Sequence, residues 1–178
     1  MVGPNWPNQG EIDIYEGVHL NTYNQVTLHS SPGCVPVVGS GGQTGNKVSE
    51  SDCGAGGGFN GCGVQSTSAT SYGTAFNANG GGVYATLWTS SGIKVWYFAA
   101  RDVPSNIKNG NPDPNSWGAP QANFAGCNFD SKFSNMNIVS SSASISSHNV
   151  LTCAVDLRYH LLRRLGRRCL GLHFLRKH

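Results

Sequence analysis

Between Gly10 and about Val139, apolar residues alternate with polar ones over short runs, each closed by glycine, proline, asparagine or serine. A period of two is the signature of a strand with one buried face. It predicts strands at Glu11 to Glu16, Asn24 to His29, Val83 to Trp88 and Ile93 to Phe98. The last two flank Thr89-Ser90-Ser91-Gly92, which reads as a hairpin turn. Gly33 to Gly63 is a glycine-rich loop region containing Cys34, Cys53 and Cys62. Loops of that length are usually functional or pinned, and disulfides would supply the pinning. Asn109 to Pro120 is a further loop, and Gln121 to Phe133 reads as another extended segment. There is no tandem repeat. Many short strands with turn signals predict an all-β sandwich or barrel.

The pattern changes at Ser140. Ser140 to Ser147 is serine-rich, and Leu157 to His178 is rich in arginine and leucine. The expected organisation is therefore a body over residues 1–139 and an unrelated tail over residues 140–178, helical or disordered.

This division changes the meaning of the charge. The formal net charge is +3, but seven of the twelve basic residues lie beyond Val139, against one acid, Asp156. The first 139 residues hold five basic and eight acidic side chains, a surface suited to uncharged substrates rather than to nucleic acid. No run of about 18 apolar residues exists to span a membrane. The six cysteines suit a disulfide-bearing secreted protein. Met1-Val2-Gly3-Pro4-Asn5-Trp6-Pro7, however, has neither the basic nor the apolar region of a signal peptide.

The candidate chemistry lies on the first strand. Glu11 and Asp13, two residues apart, share a face, while Glu16 at i+5 should point away. A single β-bulge between Asp13 and Glu16 would return it to that face and line a cleft with three carboxylates. Retaining glycosidases need two carboxyl groups about 5–5.5 Å apart, one as nucleophile and one as acid/base. Crowded like charges also raise the pKa of at least one of them. The spacing by itself more often belongs to a solvated edge strand.

The flanking residues narrow the choice. Gly3-Pro4-Asn5-Trp6-Pro7-Asn8-Gln9-Gly10-Glu11-Ile12-Asp13-Ile14-Tyr15-Glu16-Gly17-Val18-His19 resembles glycoside hydrolase family 16 in its bulged E-x-D-x-x-E form, within the fungal endo-1,3(4)-β-glucanase branch. The resemblance continues through Asn24 to His29, Ser31 to Cys34, Ser71 to Gly73, Gly80 to Ala85, Trp88 to Phe98 and Pro112 to Gly118. It implies a β-jelly-roll sandwich of the concanavalin A-like kind, incomplete in this chain. It implies retaining hydrolysis of β-1,3/1,4-glucans, with Glu11 as nucleophile, Glu16 as acid/base and Asp13 tuning the nucleophile. His29 matches a family histidine near the acid/base, although a strand histidine bonded for packing alone is the alternative. Trp6 matches an aromatic that stacks on a sugar ring, with core packing as its alternative. Trp88, Trp96 and Trp117 are expected in core or loop packing. The family usually has an acidic residue where this chain has Leu87, which removes one secondary cleft contact.

Such folds can carry a structural metal, but no ligand cluster in the sequence argues for one, and no cofactor is expected. The resemblance further implies a β-glucan polysaccharide or oligosaccharide as partner, no nucleic acid or membrane, a monomer, and an extracellular location. A non-catalytic glucan-binding protein, a transglycosylase of the same fold, and an incomplete sandwich that folds poorly and is inactive are the alternatives. In the family the E-x-D-x-x-E strand lies well inside the domain, so an internal or mis-assigned start at Met1 is expected. After Ile138 the family continues close to I-F-D-T-T-F-C-G-D-W-A-G. Codons for Arg158 to Gly171 read one nucleotide later permit D-T-T-F-C-G-D-W-A-G, and Val139-Ser140 can be encoded as a 5′ splice site. A retained intron over about Val139 to Ala154, followed by a shifted frame, is the expected origin of the tail. Cys153 and Cys169 are then accidental, leaving Cys34, Cys53, Cys62 and Cys127 as disulfide formers.

Overall fold

The structure, a computed structural model, describes residues 1–139 except 19, 40 and 50, together with the backbone of Cys153–Ala154 and Gly171–Arg176. The retained-intron and shifted-frame expectations for the tail otherwise fall outside the described residues.

Two sheets face each other across one core. The first contains β1 (Glu11–Glu16), β2 (Gln25–His29), β4 (Asn46–Lys47) and β5 (Cys62–Gln65), in the order β1-β2-β5-β4. The second contains β3 (Val37–Val38), β6 (Gly82–Thr89), β7 (Gly92–Ala99), β8 (Ala122–Ala125), β9 (Cys153–Ala154) and β10 (Gly171–Arg176), in the order β3-β8-β7-β6-β10-β9. Short helices α1 (Gly73–Ala78), α2 (Ser105–Lys108) and α3 (Phe129–Lys132) lie between strands. Among the described residues no helix is long and apolar enough to cross a membrane.

Strand alternation builds the core. Ile12 and Ile14 of β1, Val26 and Leu28 of β2 and Val64 of β5 point inward and meet Tyr84, Trp88, Ile93, Val95 and Phe124 of the second sheet. Burial on this scale is the main stabilising term, at about 25 cal/mol per Å² of apolar surface. The opposite face of the second sheet carries a smaller cluster in which Val83, Ala85, Trp96 and Trp117 pack with Val103 and Ile107. Trp88, Trp96 and Trp117 are all buried, as packing residues should be. The two-layer arrangement is the jelly-roll sandwich class expected from the sequence.

The hairpin β6–β7 turns at Ser90 and Ser91, with Thr89 opposite Gly92. The loop from Gly33 to Gly63 is pinned by two disulfides, Cys34–Cys127 and Cys53–Cys62. All four cysteines of the body are thereby paired. The extended segment expected from Gln121 to Phe133 is a strand only over Ala122–Ala125. Cys127 is held by its disulfide, and the Asn128 side chain caps α3 by accepting from the Ser131 amide, which turns the chain out of the sheet. The tail, expected as helix or disorder, contributes two strands. β10 runs parallel to β6, pairing Phe174 with Thr86, and β9 runs parallel to β10. The physical reason lies in β6, whose edge offers unpaired backbone donors and acceptors that any alternating segment such as Leu172-His173-Phe174 can satisfy.

Two glycines bracket β1. Gly10 sits at φ +74, and a Cβ there would meet the Phe133 ring at 2.5 Å. A Cβ on Gly17 would come within 2.5 Å of the Tyr72 ring.

Candidate active site

β1 pairs antiparallel with β2, setting Glu11 opposite His29, Asp13 opposite Thr27 and Glu16 opposite Gln25. Three steps along β1 from Asp13 to Glu16 match two along β2, so one residue is extra and the ladder is bulged there. Ile14 is buried, and Tyr15 after it also packs against the core, with its ring 4.9 Å from Tyr72 and 5.5 Å from Tyr84. With two consecutive residues on the inner side, Glu16 returns to the face of Glu11 and Asp13. The bulge inferred from sequence is present at the expected place.

Each acidic group on this face has a partner. Trp6 Nε1 donates to Glu11 Oε2 at 2.9 Å. His29 Nε2 lies 3.2 Å from Asp13 Oδ2. Thr27 Oγ1 donates to Glu16 Oε2 at 3.2 Å and accepts from Gln25 Nε2 at 3.0 Å. His29 Nδ1 meets the Gly58 carbonyl at 2.7 Å. A carbonyl only accepts, so Nδ1 carries hydrogen. A bond from Nε2 to a carboxylate then requires the doubly protonated ring. The imidazolium is thus the counter-charge to the acidic row.

The pKa values follow from burial and charge. Burial raises Glu11 above the usual carboxylate value, Asp13 adds to the rise, and His29 and the Trp6 hydrogen bond oppose it. Burial also raises Glu16, again with Asp13 adding to the rise, while Thr27 and His29 oppose it. Burial pulls His29 down, but its bonds to Asp13 and Gly58 and the charges of Asp13 and Glu11 outweigh that, leaving it raised. Like charges crowded on one face disfavour ionising both glutamates together. Nucleophilic attack on an acetal carbon with protonation of its leaving oxygen needs one carboxylate and one carboxylic acid.

All five residues singled out in the sequence meet at this place. Trp6 stands beside the acidic row, its ring 4.9 Å from Phe59 in an edge-on contact, with its indole nitrogen committed to Glu11. Among the described residues Glu11, Asp13 and His29 form the one acidic and imidazole group compact enough to hold a cation, their ligand atoms within 4.8 Å of one another. Each of the three also bonds a protein group. The sequence reading missed Thr27, the Gly58 carbonyl and Phe59. Thr27 was within reach, because it lies two residues before His29 on an alternating strand. The other two lie in the Cys53–Cys62 loop, whose course no periodicity reveals.

Comparison with known proteins places the chain among glycoside hydrolases. The family described as the XgeA-like catalytic domain of glycoside hydrolase family 16 matches residues 1–143. A probable endo-1,3(4)-β-glucanase of Aspergillus fumigatus is 45% identical over 139 residues, which is 78% of this chain and 21% of that protein. The chain therefore spans about a fifth of the length of that relative. Among solved structures, an elongating family 16 β-1,3-glucosyltransferase superposes with a TM-score of 0.68 at 41% identity, over 75% of this chain and 44% of that one. Laminarinase 16A of Phanerochaete chrysosporium, solved with 6-O-glucosyl-laminaritriose in donor and acceptor sites, superposes with a TM-score of 0.63 at 39% identity, over 73% and 45%.

Proposed function

The chain belongs to glycoside hydrolase family 16, in its XgeA-like branch, and on that premise we propose that it carries the catalytic strand of a retaining endo-1,3(4)-β-glucanase. The observation that carries the proposal is the bulge between Asp13 and Glu16, which sets Glu11 and Glu16 on one face with a different partner for each.

Glu11 is the nucleophile. Its carboxylate attacks the anomeric carbon while the bond from that carbon to the leaving oxygen breaks, giving a glycosyl ester. The Trp6 indole holds one oxygen of Glu11 and so fixes the plane of the attacking group. Glu16, its pKa raised by burial and by the nearby Asp13 charge, gives its proton to the leaving oxygen. It then takes a proton from the water that cleaves the ester, which releases Glu11 and restores the starting state. Asp13 and His29 form an ion pair between the two. Asp13 places negative charge near both glutamates and raises them, and His29 places positive charge near both and opposes that rise. The Trp6 ring, beside Phe59, offers an apolar face to a pyranose.

The substrate is a neutral β-glucan, which fits a body poor in positive charge. The two disulfides fit an oxidising, extracellular setting. The protein acts as a monomer, without cofactor, metal, nucleic acid or membrane. Residues 1–139 form the hydrolase portion. Residues 140–178 form a tail of separate origin, for which a genomic sequence encoding G-D-W-A-G in the next frame is the check.

The likeness to a glucosyltransferase favours a second reading, in which a sugar hydroxyl replaces water in the second step. Purified full chain incubated with laminarin and with barley β-glucan, beside Glu11→Gln, separates the readings. Reducing ends that accumulate in the wild type only support the hydrolase. Chains longer than the starting oligosaccharide, without net reducing ends, support transfer. Binding to glucan with neither product would leave a glucan-binding protein.

A further inference from the structure

Asn24 precedes β2 and is wholly buried, at 0% exposure. Its carboxamide serves both sides of the bulge. Oδ1 accepts the Glu16 amide hydrogen at 2.8 Å, and Nδ2 donates to the Ile14 carbonyl at 2.8 Å. The bulge interrupts the ladder between Asp13 and Glu16, and Asn24 supplies partners to the backbone groups on either side of Tyr15. A buried backbone group without a partner costs about 1–3 kcal/mol, so a bulge left unbridged would tend to slip out of this geometry.

Asn24 is itself clamped. Its amide donates to Ser71 Oγ at 3.0 Å, its carbonyl accepts from the Ser66 amide at 2.8 Å, and Ser71 Oγ donates onward to the Ser68 carbonyl at 2.7 Å. The Tyr84 hydroxyl, from the opposite sheet, donates to the Ser71 carbonyl. The bulge is therefore tied through Asn24 and Ser71 to β6, across the core.

We infer that Asn24 is the positioning residue of the acid/base: by bridging the bulge it fixes the backbone from which Glu16 projects, and so where the proton is delivered. The inference rests on the reading of Glu16 as acid/base. The chemistry is specific to this side chain. One short planar group must accept at one corner and donate at the other. Glutamine is longer by a methylene, and an aspartate carboxylate only accepts. A protonated aspartic acid has both functions in the same shape.

The test compares full-length wild type, Asn24→Ala and Asn24→Asp by kcat/KM, which reports the glycosylation step, on laminarin and on a dinitrophenyl β-laminari-oligoside. The dinitrophenolate leaves without a proton. For Asn24→Ala the expected loss is about 100-fold or more on laminarin and below about 10-fold on the dinitrophenyl substrate, the size of a displaced general acid. Equal losses on both would make Asn24 a packing residue and overturn the inference. Asn24→Asp should approach wild-type laminarin activity at acid pH, where its carboxyl is protonated, and lose it as pH rises, ahead of the wild-type alkaline limb. A profile parallel to wild type would also overturn it, and this variant decides the matter if Asn24→Ala does not fold.

Amide hydrogen exchange gives a readout independent of turnover. Glu16 N–H should be protected in the wild type and exposed in Asn24→Ala, with the Ser30 amide, bonded to the Cys53 carbonyl, unchanged. A Glu16 amide equally protected in both would refute the bridge. A protected Glu16 in a wild type that cleaves neither substrate would instead overturn the hydrolase reading and leave only the bridge.

Discussion

His29 stands opposite Glu11 in the β1–β2 ladder, yet its ring reaches along the strand to Asp13, 3.2 Å from Oδ2. A diagonal contact of this kind lets one imidazolium act on two glutamates, since its charge lowers the pKa of both Glu11 and Glu16. His29→Gln is expected to move the acid limb of the activity profile upward, because Glu11 loses a positive charge that opposes its rise. The folded pKa of His29 is raised above 6.5, so its contribution to stability is complete below that pH and lost as pH rises through the folded value. The melting-temperature gap between wild type and His29→Gln should close as the medium becomes alkaline. A gap constant with pH would remove the imidazolium from the account.

The carboxyl pair predicts a conflict between activity and stability. Glu11 and Glu16 are both raised above 4.5 in the fold, so each favours the folded state below pH 4.5 and opposes it as pH rises through the folded value. Glu11→Gln and Glu16→Gln should therefore melt higher than wild type at neutral pH, with the gain gone below pH 4.5. Glu16→Gln should lose about 10²–10⁴ in rate on glucan. The two roles separate with added azide: Glu11→Ala should give an α-glycosyl azide and Glu16→Ala a β-glycosyl azide, read by NMR. The same anomer from both variants would sink the assignment.

Trp6→Phe tests the indole nitrogen apart from the ring. The hydrogen bond to Glu11 disappears while an aromatic face remains beside Phe59. A bond to a charged group contributes about 1.5–3 kcal/mol, so a rate loss of about 10-fold or more is expected with KM little changed. Trp6→Ala should raise KM as well. Equal KM in the two variants would argue against a ring that touches substrate.

The two disulfides should divide stability from catalysis. Cys34–Cys127 closes a loop with a separation of 93 residues, and Cys53–Cys62 one of only 9. Chain entropy assigns about 4–5 kcal/mol to the long closure and about 2–3 kcal/mol to the short one. The short loop, however, presents the Gly58 carbonyl that bonds His29 Nδ1. Replacing Cys53 and Cys62 by serine should shift the pH profile more than the denaturation midpoint, and replacing Cys34 and Cys127 should do the reverse.

Much of this site is legible in the sequence because strand alternation is a local rule. Glu11 and Asp13 share a face by parity alone, and placing Glu16 with them demands the bulge that the register shows. Trp88 and Trp96 face the packed interior from strands by the same rule, whereas Trp117 reaches it from a loop. What alternation cannot convey is which distant backbone atom completes a side chain's bonding. Asn24 looks like the polar start of a strand, but its role depends on Ser71, 47 residues later. The Gly58 carbonyl that meets His29 lies in the loop closed by Cys53–Cys62, a pairing that cysteine spacing does not dictate. Gln121 to Phe133 reads as one extended segment because nothing local marks Cys127 as tethered to Cys34.

The glycines at each end of β1 have a consequence for how this segment tolerates change. Gly10 is pressed against Phe133 and Gly17 against Tyr72, so neither position has room even for a methyl group. A saturation scan would find these two silent positions as unforgiving as the glutamates between them, although neither contributes an atom to the chemistry. Variation would be forced outward, onto the exposed Val18 and Leu20 on one side and Phe59 on the other. A lineage under pressure to change would find its freedom on those rims, with the strand between them carried along unchanged.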